Sequence, residues 1–218
     1  PDADRVGIAV IDSDGSYRLL TGNETGIMLT DYILSNRKRL GTLPEKPIIV
    51  KTIVTSIMID RLCEKYGCEL KNVLTGFKYI GEVILNLEPA NETDRFVFGF
   101  EESYGYLAGS YVRDKDAVVA SMLICEMAAY YKKQGKTLAQ VIDAMYEEYG
   151  YYKNTTLSFS FDGAAGMQKM ADIMASLRAN SPAEVSGMKV VKFSDFKESV
   201  EKDLVAGTEK VIELPKSN

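Results

Sequence analysis

The run Arg95-Phe96-Val97-Phe98-Gly99-Phe100 is aromatic and β-branched, with glycine its only small residue. It reads as a buried strand. The pattern then stops abruptly at the carboxylates Glu101 and Glu102, the hydroxyl of Ser103 and the glycines Gly105 and Gly109. A long apolar helix is predicted only after Asp116, carried by Val118, Val119, Met122, Leu123, Ile124 and Met127. Polar groups are thereby expected on a loop at the carboxyl end of a strand, just ahead of a helix. Open α/β sheets bind ligands at that place. Acceptor carboxylates beside a hydroxyl suit a ligand with vicinal hydroxyls, such as a sugar. A solvated loop with a helix cap fits the same spacing.

The rest of the chain alternates strand and helix signals. Arg5 to Asp12 reads as a strand, Asp14-Gly15 as a turn, and Tyr17 to Leu20 as the returning strand. Thr21 or Asn23 can cap a helix running to about Leu40, with Met28, Leu29, Tyr32 and Ile33 on its apolar face. Arg37, Lys38 and Arg39 suit the negative end of that helix, a better reading than a phosphate site. Ile48 to Val54 is a β-branched strand in which only Lys51 and Thr52 are polar. A second helix, capped by Thr55 or Ser56, ends at Gly67. A short strand near Lys71 to Leu74 leads through Thr75-Gly76-Phe77 to a helix over Lys78 to Leu87. That glycine marks a plain strand-to-helix turn or a place where a ligand meets the backbone. The helix after Asp116 is apolar nearly all round and is expected to be buried on more than one side. Lys115 lies against the dipole preference at its start, which hints at function. Leu138, Val141, Ile142, Met145 and Tyr149 follow helical spacing after Thr137.

Beyond Tyr151 the character changes. A half-buried strand is predicted over Thr155 to Phe161, then a helix from Asp162-Gly163 with Met167, Met170, Ala171, Met174 and Leu177 inward, then a strand over Met188 to Phe193. Gly150 to Asn154 is a plausible boundary. The whole predicts an α/β fold, a small mixed β-sheet sandwiched by helices, followed by the start of an α+β domain.

Composition removes several chemistries. The 218 residues contain no histidine, so Ser-His-Asp and Cys-His catalysis and histidine-bound metals are excluded within them. A net charge of −5 without a basic run speaks against nucleic acid as a partner. There is neither a long apolar run nor a signal-peptide pattern, so nothing points to a membrane or to secretion. Cys63, Cys68 and Cys125 are too dispersed for a disulfide framework or a zinc site, and the spacing of the first two is no redox motif. Reduced core thiols and a cytoplasmic location are expected. Asp2 and Asp4, two residues apart, suit either a hard cation such as Mg²⁺ or a plain polar turn.

Four segments carry a resemblance. Glu101-Glu102-Ser103-Tyr104-Gly105 resembles the sugar-binding loop of the α-D-phosphohexomutase superfamily, in its phosphoglucomutase branch. Pro1-Asp2-Ala3-Asp4-Arg5 resembles that family's Asp-x-Asp-x-Asp-Arg metal loop without its first aspartate. Leu74-Thr75-Gly76-Phe77-Lys78 resembles its Thr-Gly-Phe/Trp-Lys loop, and Arg113-Asp114-Lys115-Asp116 the segment after the sugar loop. Each is short, but they stand in order at family-like spacing. The similarity runs to about Phe161 and more loosely to the end.

The resemblance implies a four-domain parent protein. Residues 1–20 would end its second domain, 21–152 form the third, sugar-binding domain, and 153–218 begin the fourth. Starting at Pro1 inside a motif, the chain is expected to be a piece of that longer protein, without the family's phosphoserine loop or last phosphate loop. The implied reaction interconverts glucose 1-phosphate and glucose 6-phosphate through a phosphoserine and a hexose bisphosphate. Asp2 and Asp4 would bind Mg²⁺, and Arg5 would steady the phosphoserine or a substrate hydroxyl. Thr75 and Gly76 would line the sugar, Glu101 and Ser103 would bond its hydroxyls, and Lys115 would meet the transferring oxygen. The expected partners are sugar phosphates and the remaining domains of the parent. Tyr104 favours the glucomutase branch. Phosphomannomutase, phosphopentomutase and a non-catalytic sugar-phosphate binding module are the alternatives.

Overall fold

In the computed structural model, which describes residues 2–154 and 159–212, the first elements form an antiparallel hairpin of β1 (Ile8–Ile11) and β2 (Tyr17–Leu20). Thr21 then caps α1 (Gly22–Arg39). The Glu24 amide donates to the Thr21 hydroxyl and the Thr21 amide to the Glu24 carboxylate, so both halves of a capping box are made.

The main sheet is built from β3 (Ile48–Thr52), β4 (Glu69–Val73), β5 (Phe96–Glu101) and β6 (Gly105–Ala108). Its order is β4-β3-β5-β6. β4 and β5 run parallel to β3, and β6 returns antiparallel along β5. The parallel pairs need crossover helices. α2 (Met58–Tyr66) connects β3 to β4, and α3 (Phe77–Leu87) lies between β4 and β5. α4 (Ala117–Lys132) and α5 (Leu138–Tyr149) follow β6. These elements belong to one unit, Pro1–Asn154.

Strand alternation divides the core in two. Ile48 and Val50 face α3, where Val73, Phe77, Ile80, Ile84, Phe96 and Leu107 join them. Ile49, Phe98, Phe100 and Tyr106 join the buried faces of α1, α2, α4 and α5 on the other side. The alternation slips once. Ile48 pairs with Phe96 but Ile49 pairs with Phe98, leaving Val97 as an extra residue in β5. Val97 and Phe98 therefore both enter the larger core. α1 lies very close to the sheet here, because a Cβ on Gly26 would fall within the Phe100 ring.

The second unit, Thr155–Asn218, holds α6 (Gly163–Ala179), the hairpin of β7 (Glu184–Val185) and β8 (Met188–Lys189), and a three-stranded antiparallel sheet. That sheet contains β9 (Lys192–Asp195), β10 (Val200–Asp203) and β11 (Thr208–Val211), in the order β11-β10-β9. Arg178 on α6 donates to Asp195 on β9 at 2.7 Å.

Several sequence expectations need correction. Gly105–Ala108 is a strand, not loop, because the Glu101↔Gly105 pairing closes a hairpin. α2 starts after Ile57 with no side-chain cap from Thr55, although the Met58 amide donates to the Ser56 hydroxyl at 3.3 Å. α4 is not buried on more than one side. Val118 and Met122 are 66% and 64% exposed, since β6, α1 and α5 cover only its other face. Cys125 on that helix is exposed rather than a core thiol. Met167, Met170, Met174 and Leu177 are exposed rather than inward, because the strands described beside the 17-residue helix are only two to four residues long. Of the strand expected over Thr155 to Phe161, residues 155–158 lie outside the described residues and 159–161 form none.

Gly26→Ala is expected to destabilise the protein by about 1–3 kcal/mol, as overpacking does when rigid ring atoms block a new methyl group. Urea denaturation followed by circular dichroism measures this. The midpoint should fall with the slope unchanged.

Candidate active site

Because β3, β4 and β5 run in one direction, their carboxyl ends share an edge of the sheet. Thr75 and Gly76 follow β4 on that edge, Glu101 ends β5 there, and Glu102 and Ser103 follow it. The two loops are not neighbours, since β3 lies between their strands. The turn after β3 fills the gap. There the Thr52 hydroxyl donates to Glu102 Oε2 at 3.1 Å and shares a 2.7 Å hydrogen bond with Thr55.

Glu101 is the last residue of β5 rather than a loop residue, and it is only 5% exposed. Its Oε1 accepts no hydrogen bond. The nearest cation is Arg5, whose Nη2 lies 3.7 Å away, an ion-pair contact beyond hydrogen-bond reach. A buried acceptor left without a donor costs about 1–3 kcal/mol, and more when charged. The site therefore carries an uncompensated polar atom at the edge where a ligand would enter.

A chain of charges continues from Arg5. Asp4 Oδ2 lies 3.9 Å from Arg5 Nε, and Asp4 Oδ1 lies 3.2 Å from Lys115 Nζ. Lys115 Nζ donates to Asp114 Oδ1 at 3.0 Å and sits 5.2 Å from the Phe77 ring centroid. Burial alone would lower the Lys115 pKa, but its bonds to Asp114 and Asp4 outweigh this and hold it above the usual lysine value. Lys115 is thus a fixed cation. The resident partners that offset its position near a helix start are Asp114 and Asp4.

Backbone contacts hold these groups in place. The Val6 amide donates to the Tyr104 carbonyl at 3.3 Å, and the Ala117 amide to the Ala3 carbonyl at 2.9 Å. The segment carrying Asp4 and Arg5 is thereby strapped between the β5–β6 turn and the start of α4. The Asp116 amide donates to the Tyr106 carbonyl at 2.9 Å, and the Asp116 carboxylate caps α4 through the Val119 amide. Gly105 leaves room for both charged side chains here. A Cβ would run into the Lys115 side chain and stand 2.8 Å from Glu101 Oε1. Tyr104 carries the turn at φ 69, a left-handed conformation that costs a non-glycine residue about 1–2 kcal/mol.

The structure thus brings Asp4, Arg5, Glu101 and Lys115 together, with Phe77 beneath Lys115. Thr75 and Gly76 immediately precede Phe77 in the loop before α3, Thr75 exposed and Gly76 at φ 114. Ser103 is half-buried in the β5–β6 turn. Asp2 is exposed. Among the described residues no three His, Cys, Asp or Glu side chains are grouped to hold a metal. Mg²⁺ needs near-octahedral oxygen coordination, whereas the Asp4 carboxylate already faces two cations. These residues alone do not fit the ion.

Thr52, Phe77 and Asp114 were missed as parts of this site. The first had a signal, since Lys51 and Thr52 are the polar interruption of an apolar strand. Lys51 is 3% exposed, and burial lowers its pKa against the opposing charge of Asp60.

Residues 21–149 match the family model described as phosphoglucomutase/phosphomannomutase, alpha/beta/alpha domain III. Over all 218 residues the chain is 37% identical to a phosphoglucomutase of Staphylococcus aureus (strain MSSA476) and 34% identical to one of Staphylococcus haemolyticus (strain JCSC1435). It spans 38% of the length of each. The fold resembles pp63/parafusin from Paramecium in its open form, with a TM-score of 0.59 at 18% identity, covering 96% of this chain and 33% of that one. With its mixed sheet between helices and a family model matched through α5, the chain belongs to the phosphoglucomutase/phosphomannomutase family, over the region of that family's domain III.

Proposed function

We propose that this chain is the sugar-binding part of a phosphoglucomutase that interconverts glucose 1-phosphate and glucose 6-phosphate. The observation that carries this reading is the Glu101 carboxylate, buried with one oxygen lacking a donor, beside Arg5 and near Lys115 at the carboxyl edge of the parallel strands. A sugar hydroxyl can donate to that oxygen, and the Ser103 hydroxyl can bond another. Thr75 and Gly76 line the same edge. In this reading residues 1–20 end a preceding domain, 21–152 form the sugar-binding domain, and 153–218 begin the next.

Elsewhere in the whole protein a phosphoserine would give its phosphoryl group to the sugar, and the resulting bisphosphate would return its other phosphate. The residues here bind and orient. Lys115, kept charged by Asp4 and Asp114, would face the transferring oxygen and offset its developing negative charge. Arg5 would steady the phosphoserine or the neighbouring hydroxyl. The family resemblance assigns Mg²⁺ to the loop holding Asp2 and Asp4, where it would neutralise phosphoryl charge. Because the residues described do not complete its coordination, the roles assigned above do not depend on it. No helix among the described residues is long and apolar enough to cross a membrane. The family resemblance makes small sugar phosphates in the cytoplasm the fitting partners, and a net charge of −5 speaks against nucleic acid.

The whole enzyme, assayed on glucose, mannose and ribose 1-phosphates, is expected to prefer glucose. Glu101→Gln should lower kcat/KM for glucose 1-phosphate by about 10- to 100-fold, the worth of a hydrogen bond to a charged acceptor. The urea midpoint should not fall, since Glu101 Oε1 accepts no hydrogen bond that the change could break. An unchanged kcat/KM would sink the sugar-site reading. Lys115→Met should lower kcat by about 10²–10³-fold, as loss of one preorganised charge stabiliser does. The chain of residues 1–218 alone should show no turnover of glucose 1-phosphate above a blank in a coupled assay.

A further inference from the structure

α2 ends in a closure whose contact residues are both thiols. Gly67 takes the left-handed conformation at φ 69. The Cys68 amide donates to the Cys63 carbonyl at 2.8 Å and the Gly67 amide to the Glu64 carbonyl at 3.4 Å. These are the paired bonds of a Schellman turn, which sets the side chain after the glycine against one in the last helical turn. Here those side chains are Cys68 and Cys63, and Cys68 packs against the core cluster that contains Cys63. Residues five apart match no familiar redox spacing, yet the fold makes them neighbours.

The two thiols differ in reach. Cys63 is 3% exposed within the larger core, whereas Cys68 is half-buried at its rim. The neighbouring Cys63 thiol lowers the Cys68 pKa against the opposing effect of burial, and Lys38 in the last turn of α1 lowers it further. Cys68 and burial push the Cys63 thiol up. A reachable thiol of lowered pKa beside a second, buried thiol is the arrangement that redox-sensing pairs use.

We infer that Cys63 and Cys68 form a reversible disulfide when the protein meets hydrogen peroxide, with Cys68 oxidised first and Cys63 resolving it. The Cys68 thiolate attacks one peroxide oxygen and the O–O bond breaks. Cys68 becomes a sulfenic acid, and the departing hydroxide takes up a proton as water. The Cys63 sulfur, losing its proton, then attacks the Cys68 sulfur. The S–O bond breaks, and the hydroxyl leaves with that proton as a second water. Two thiols are oxidised to one disulfide while one peroxide is reduced to two waters. A small thiol reverses the bond by exchange.

The sequence makes the test direct, because trypsin cuts after Arg61, Lys65 and Lys71 and so separates Cys63 from Cys68. The folded chain is treated with hydrogen peroxide, alkylated and digested without reduction. The expected result is loss of two of the three thiols. Peptides 62–65 and 66–71 should then be joined at a mass lower by two hydrogens, and dithiothreitol should separate them. In Cys63→Ala, dimedone should trap a sulfenic acid on Cys68. The unsubstituted chain decides the question even if that variant does not fold. Recovery of both Cys63 and Cys68 alkylated at a dose that oxidises the exposed Cys125 would overturn the inference. So would a bond from Cys125 to either of them.

Discussion

β3 hydrogen-bonds to a parallel strand on each side, and the placement of the candidate site depends on those two ladders. A parallel strand flanked in this way requires crossovers, and its neighbours must finish on the same edge. That requirement brings Thr75, Gly76 and Glu101 to one end of the sheet although 26 positions separate the first from the last. Burial of all five β3 residues makes the arrangement costly to disturb. The polar residues at its end, Lys51 and Thr52, are tolerated because Thr55 and Glu102 give Thr52 partners and Thr55 and Asp60 face Lys51.

The site itself is held by electrostatics on a backbone frame. Arg5, Asp4, Lys115 and Asp114 alternate in sign, so each charge has an opposite neighbour. None of these contacts is deeply buried except at Glu101, and exposed pairs of this kind contribute little stability. Their value is positional. The Ala3 and Tyr104 carbonyls fix the strand entrance, and the side chains are then placed relative to α4 and the β5–β6 turn.

Much of this was legible from local pattern. The spacing of Leu138, Val141, Ile142 and Met145 marks α5, and Thr21, one of two cap candidates, marks the start of α1. What escaped was non-local. Gly105-Tyr106-Leu107-Ala108 is too short and too glycine-flanked to announce a strand, and only pairing with β5 makes it one. Glu101 read as a loop carboxylate because its burial depends on Gly105 and Lys115 closing over it. The partners of Lys115 and the meeting of Cys63 with Cys68 depend on turns whose geometry no composition reveals. The apolar faces of α4 and α6 were read correctly as apolar, but periodicity cannot say what covers them.

The extra residue in β5 sets the direction in which Glu101 points. Phe100 enters the larger core, so the next residue, Glu101, points to the α3 side, where Phe77 and Lys115 stand. Were the same residues paired with β3 without the irregularity, Val97 would oppose Ile49, Phe98 and Phe100 would turn to the α3 side, and the carboxylate would turn toward α1. By absorbing Val97 outside the ladder, the bulge keeps the aromatic residues in the larger core and aims Glu101 at Phe77 and Lys115.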